Sequence, residues 1–239
     1  MSSLVLVRHA QASFFEVDYD QLAPAGVEQA RRLGAHWATL GLRFDEVYTG
    51  PRVRHRHTAE TVGAALERAG LSWPTEVVLD QFDEHAVDRL LHGALTELRR
   101  GDRGLAPLAE AYQHAESRPD RQRTFQLLFE AVARRWCEGA CEFPNVETWP
   151  AFQARVQSGL DRILAGDQRG RRVAVFTSVG PISVALQRAL GCADQKAIEL
   201  GWRLRNASLT EFVFTRDRIT LDSFNSVAHL DDPALWTYR

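Results

Sequence analysis

A chain of 239 residues with 45% hydrophobic side chains can bury a full core and falls within the range of one large domain. A formal net charge of -2 argues against a general nucleic-acid binder, because affinity for a phosphate backbone needs an excess of cations. Apolar runs shorter than the roughly 18 residues of a bilayer span, the lack of a signal-peptide pattern and three cysteines without a pairing pattern lead us to expect a cytoplasmic protein with no membrane partner.

The chain opens on "LVLV" (4–7), a short buried strand that runs directly into Arg8 and His9. Apolar residues at helical spacing then fill 23–41 and stop at Gly41, which reads as a helix. The unit repeats, with a strand at 44–50, a helix at 57–70 ending in Gly70, and a third strand at 75–82. A mostly helical stretch from Ala86 to Ala165 follows, interrupted by polar Gly, Pro and charge clusters at 100–104 and 116–122. Strand, tight turn and helix return at 171–191, and two strands, 208–215 and 218–225, close the chain. Strands alternating with helices predict an α/β fold, a three-layer sandwich with a mostly parallel open sheet, in a single domain 1–239 carrying a helical insertion or cap at about 86–146.

In such a sheet, ligands sit beyond the carboxyl ends of the strands. Four loops converge there: Arg8 and His9 themselves, residues 49–58, residues 80–85 and residues 177–182. An arginine fork binds two phosphate oxygens and stays charged at any working pH. A histidine held among such cations is kept neutral, and a neutral imidazole nitrogen is a competent nucleophile toward phosphorus. Pro181 suits a first helical turn, whose free N–H groups and positive dipole end favour an anion.

Several segments resemble one family, the histidine phosphatase superfamily, also called phosphoglycerate mutase-like. Its strand ending Arg-His-Gly is matched by Arg8-His9-Ala10, and its Leu-Thr-x-x-Gly-x-x-Gln-Ala by "LAPAGVEQA" (22–30). Its Tyr-Ser-Ser-Pro-x-x-Arg-Ala-x-Gln-Thr-Ala is matched by "YTGPRVRHRHTAET" (48–61), which puts Arg54 on the second phosphate-binding arginine. "ETWPAFQARV" (147–156), "NASLTEF" (206–212) and "NSVAHL" (225–230) are similar to later family segments. The resemblance implies phosphoryl transfer through a phosphohistidine on His9, with Arg8 and Arg54 neutralising the phosphoryl oxygens and no metal or other cofactor.

Two catalytic groups usual in the family are absent. Ser178 occupies the histidine's place in Ser-His-Gly-Gly, and Leu79-Asp80-Gln81 stands where the family has Leu-x-Glu. A positioned acid is worth about 10²- to 10⁴-fold and an electrostatic donor about 10²- to 10³-fold. Asp83 or Glu84 could supply a relocated acid, and Ser178 or His85 could compensate for the missing histidine. The catalytic set is therefore read as His9, Arg8, Arg54 and Glu84, and the phosphate-binding set as Arg8, Arg54, Gln81 and Ser178. Three outcomes stay open: a phosphatase with a relocated acid, a phosphatase for leaving groups that need little protonation, and a catalytically impaired phosphate-binding or regulatory protein. A mutase is the least expected, because transfer back to substrate also calls for the missing acid and base.

The partner is then a small phosphorylated substrate or a phosphohistidine-bearing protein, with a homodimer conceivable through the C-terminal strands. His55 and His57 form His-x-His, but Arg54 and Arg56 would repel a cation, so both are expected on a solvent-facing side of their helix. Cys137 and Cys141 are expected to pack, and His229 to pack or hydrogen-bond near the C-terminus. Arg99, Arg100, Arg103 and Arg118 in the insertion are read as solvated.

Overall fold

The run Leu4-Val5-Leu6-Val7 is apolar at every position because both faces of its strand are covered. In the computed structural model, which describes residues 1–13, 20–85, 104–140, 146–166 and 170–238, β1 (Ser2–Arg8) lies inside a six-stranded sheet. Its companions are β2 (Glu46–Thr49), β3 (Val77–Val78), β4 (Arg172–Thr177), β5 (Leu209–Thr215) and β6 (Arg218–Ser226), in the order β3-β2-β4-β1-β5-β6. The first four of these run parallel, while β5 and β6 add antiparallel pairs. Side chains alternate across a strand, so Val5 and Val7 pack with Ala174 and Phe176 into one core, and Leu4, Leu6, Val173 and Val175 face the other way, each fully buried. The first face receives Leu33 and Trp37 of α1 (Pro24–Thr39) and Ala59, Val62 and Leu66 of α2 (Val53–Arg68).

A second compact unit, His85–Ala154, is separate from the unit formed by Met1–Glu84 and Arg155–Arg239. It contains α3 (Ala106–Gln113), α4 (Arg118–Cys137) and the start of α5 (Trp149–Leu164), around an aromatic cluster in which Trp136 meets Trp149 and Phe152. Arg99, Arg100, Arg103, Cys141 and the Arg118 side chain lie outside the described residues. In the first unit, α6 (Val179–Leu190) lies against β1 and β6 and is followed by α7 (Asp194–Gly201). Among the described residues, no helix is long and apolar enough to cross a membrane.

Two elements differ from expectation for physical reasons. The third strand pairs over only Val77 and Val78 at the sheet edge, both exposed, before the chain tightens into a 3-10 turn at Asp80–Phe82. Helix α2 begins at Val53, four residues before the expected start, because a distant carboxylate caps it: Asp20 Oδ2 accepts from the Val53 amide at 2.8 Å. Asp20→Ala is expected to lower unfolding free energy by about 1–2 kcal/mol, the range of a lost helix cap, as read by urea denaturation. An unchanged midpoint would refute that role.

Candidate active site

Strand register decides which loops meet. Arg8 pairs with Thr177 and Thr49 with Phe176, so β1, β2 and β4 end at one edge of the sheet. The His9 amide donates to the Thr177 carbonyl at 2.8 Å, and the His9 carbonyl accepts from the Ala207 amide and from Asn206 Nδ2 at 3.2 Å. His9 is thus pinned by β4 on one side and by the turn that precedes β5 on the other. Asn206 was not singled out in the sequence, although its segment was.

The side chain of His9 is buried, and its Nδ1 lies 2.8 Å from the Ala10 carbonyl oxygen. A carbonyl can only accept, so Nδ1 carries the ring proton. Burial, then the Arg54 guanidinium, then Arg8, then His55 hold its pKa well below the ordinary 6.5, so the ring is neutral near pH 7 and Nε2 keeps a lone pair. The Ala10 amide donates to Thr58 Oγ1 at 3.1 Å, and that hydroxyl donates to the Arg54 carbonyl at 2.6 Å, tying the turn after β1 to α2.

Each arginine is already engaged by the chain. Arg54, 4% exposed, pairs through Nη1 with Asp20 Oδ1 at 2.7 Å and reaches Ser178 Oγ through Nη2 at 3.4 Å. Arg8 donates through Nη1 to the Leu204 carbonyl and through Nη2 to the Tyr238 carbonyl at 2.6 Å. An anion bound by these guanidiniums would have to share or displace these acceptors. Asp20 was not anticipated, and no local pattern marks a residue whose partner lies 34 positions away.

Ser178 occupies the N-cap position of α6 but makes no capping bond. Its hydroxyl lies 2.6 Å from His55 Nε2 instead. This corrects the reading of His55 as a solvent-facing residue: its side chain is fully buried, with its ring centroid 5.7 Å from that of His9. Burial and then Arg54 push the His55 pKa well below 6.5. The missed signal was spacing, since His55, Ala59, Val62 and Leu66 form one helical stripe. His57 is half-buried, and among the described residues no cluster of metal-ligating side chains occurs.

The helix terminus offered to an anion is occupied by a carboxylate of the chain. Glu84 Oε2 accepts from the Gly180 amide at 3.1 Å. Asp83 pairs with Arg52 at 2.5 Å. Arg155 Nη1 holds this loop through the carbonyls of Asp80, Gln81 and Asp83. The Gln81 side chain packs toward Gly159, where an added Cβ would lie 2.7 Å from its own, and no described contact links it to Arg8, Arg54 or Ser178. His85 stacks on Trp136 with centroids 5.1 Å apart, within the aromatic cluster of the second unit.

His229 is buried beside His36, and burial first, then His36, lower its pKa to about 4. For His9, His55 and His229 the folded pKa lies below the unfolded 6.5, so the unfolded state binds more protons as pH falls through that value. Their contribution to stability is present above pH 6.5 and is lost on acidification, at up to about 1.4 kcal/mol per pH unit for each ring. Urea unfolding at pH 7.5 and 5.5 is expected to show this loss, and equal stabilities would contradict the neutral buried rings.

A sequence model of the histidine phosphatase superfamily (branch 1) matches residues 4–104 and 105–227. A 2,3-bisphosphoglycerate-dependent phosphoglycerate mutase of Thermobifida fusca (strain YX) is 42% identical over 80 residues, a segment spanning 30% of this chain and 31% of the mutase. A solved phosphoserine phosphatase of Entamoeba histolytica, in complex with 3-phosphoglyceric acid, covers 96% of this chain and 100% of its own, with TM-score 0.63 and 18% identity. A phosphoglycerate mutase of Bacillus anthracis str. Sterne covers 96% and 95%, with TM-score 0.62 and 18% identity. At that identity the two structures share the fold with this chain.

Proposed function

Because the chain belongs to the histidine phosphatase superfamily (branch 1), we propose that it is a phosphatase that hydrolyses a phosphomonoester or phosphoramidate through a phosphohistidine on Nε2 of His9. The observation that carries this reading is the Nδ1 contact to the Ala10 carbonyl in a ring kept neutral, which leaves Nε2 as the nucleophile. Its lone pair attacks phosphorus, and the bond from phosphorus to the leaving group breaks with its electron pair on that group. Water then attacks the phosphoryl group, which departs as inorganic phosphate and returns the lone pair to Nε2. Arg54 and Arg8 balance the charge of the phosphoryl oxygens, with Ser178 beside Arg54 as a further donor.

The leaving group is one that needs no proton from the protein to depart, such as an acyl or aryl oxygen or the imidazole of a phosphohistidine. Asp83 is engaged by Arg52, and Glu84 by the Gly180 amide at a helix N-terminus, so each carboxylate already has a partner within the chain. Of the two, Glu84 lies at the same helix end as Ser178 and is our candidate to take the proton of the attacking water. The substrate is a small phosphorylated molecule or a phosphohistidine-bearing protein.

Hydrolysis of an acyl phosphate, an aryl phosphate and an alkyl phosphate by the native protein tests this reading. Turnover of the first two with at least a hundredfold preference over the alkyl ester is expected, in line with the worth of an absent general acid, about 10²- to 10⁴-fold. Equal turnover of all three would restore a relocated acid. Turnover of none, with calorimetric phosphate binding retained, would make the chain a phosphate-binding protein, and phosphoglycerate isomerisation would make it a mutase.

A further inference from the structure

Three of the positions at which the chain departs from the family's pattern lie together in the fold. Gly50 stands where the motif around Arg54 has serine, His55 where that motif has alanine, and Ser178 where the fourth-strand loop has histidine. In the folded chain these positions touch. His55 Nε2 lies 2.6 Å from Ser178 Oγ, and a Cβ on Gly50 would lie 2.4 Å from His55 Nδ1 and 2.5 Å from the Phe82 carbonyl oxygen. The room that the His55 ring occupies therefore depends on glycine at 50. An imidazole is absent from the α6 loop and present on α2, in contact with the residue that stands in the histidine's place.

We infer that His55 and Ser178 together replace the missing second histidine, with the Ser178 hydroxyl donating to the phosphoryl group on His9 and His55 as the residue that positions it. The inference rests on the phosphohistidine reading above and completes that site. A serine at an N-cap ordinarily spends its side chain on the second or third amide of its helix. Here the second amide, Gly180, is taken by Glu84, which releases Ser178 from that duty. In the proposed pair the His55 proton sits on Nε2 and is donated across the 2.6 Å contact to Ser178 Oγ, which Arg54 Nη2 also approaches at 3.4 Å. A hydroxyl that accepts from two donors directs its one proton elsewhere. The His9 ring, 5.7 Å from that of His55, lies beside this pair.

The test is the rate of His9 phosphorylation by an aryl phosphate in rapid-quench experiments, with thermal melts as a folding control. Ser178→Ala and His55→Phe are each expected to slow it by about 10²-fold, the worth of one lost donor, and the double variant to be no slower than either single, because the two act as a unit. Ser178→His alone is expected to be slow too, since the new ring meets His55. The exchange His55→Ala with Ser178→His is expected to return the rate to within about tenfold of the native protein, given that these losses do not add. A folded exchange variant no faster than the slower single, or additive losses in the double, would overturn the inference. If His55→Phe does not fold, Ser178→Ala and the exchange decide. A native protein that never labels His9 removes the phosphohistidine reading itself, whereas normal labelling in every variant removes only the pairing.

Discussion

His9→Ala is expected to lower turnover of an aryl phosphate by at least about 10⁴-fold, because the substitution removes the nucleophile and leaves only charge stabilisation around an empty position. The fold should survive it. His9 is held mainly through its backbone, by the Thr177 carbonyl, the Ala207 amide and Asn206, none of which the substitution disturbs. The variant also removes one buried imidazole, so its stability should decline less steeply than that of the native protein as pH falls below 6.5. A folded His9→Ala protein with undiminished turnover would place the chemistry elsewhere.

Arg54→Ala is the second large effect. It deletes the guanidinium that pairs with Asp20 and reaches Ser178, and that ranks first among the charges keeping His9 neutral. The rate is expected to fall by about 10²- to 10³-fold through lost stabilisation of the phosphoryl oxygens. Calorimetric affinity for inorganic phosphate should weaken in parallel. Stability falls less than for a fully buried pair, since the Asp20 side chain is 31% exposed and still caps Val53; a loss of about 1–3 kcal/mol is expected. Arg54→Lys is expected to recover only part of the rate, because an ammonium lacks the planar fork. Unchanged phosphate affinity in Arg54→Ala would remove this residue from the site.

The sheet was legible because its central strands are buried on both faces and so read as unbroken apolar runs, as in "LVLV". Edge strand β3 was found within the expected 75–82, but its length was not legible, because Val77 and Val78 face solvent and their pairing ends after two residues. Within the site, His9, Arg8 and Arg54 could be named because they sit in short stretches with a recognisable order. Asp20 could not, since it acts across the fold on a helix start and a guanidinium far along the chain. His55 was misjudged for a related reason: with the helix taken to start at His57, the residue fell outside the stripe of Ala59, Val62 and Leu66 that buries it. Ser178 was noticed as a departure, but its partner was visible only once α2 and the α6 loop were brought side by side.

The central claim is a covalent bond between phosphorus and Nε2 of His9. The most direct measurement is to quench the native protein in alkali during turnover of an aryl phosphate and to locate the bound phosphoryl group by mass spectrometry. One phosphoryl group per chain, stable to alkali, released by acid and mapped to His9, is the predicted result. Turnover that proceeds with no phosphorylated chain, or with the group on another residue, would contradict it.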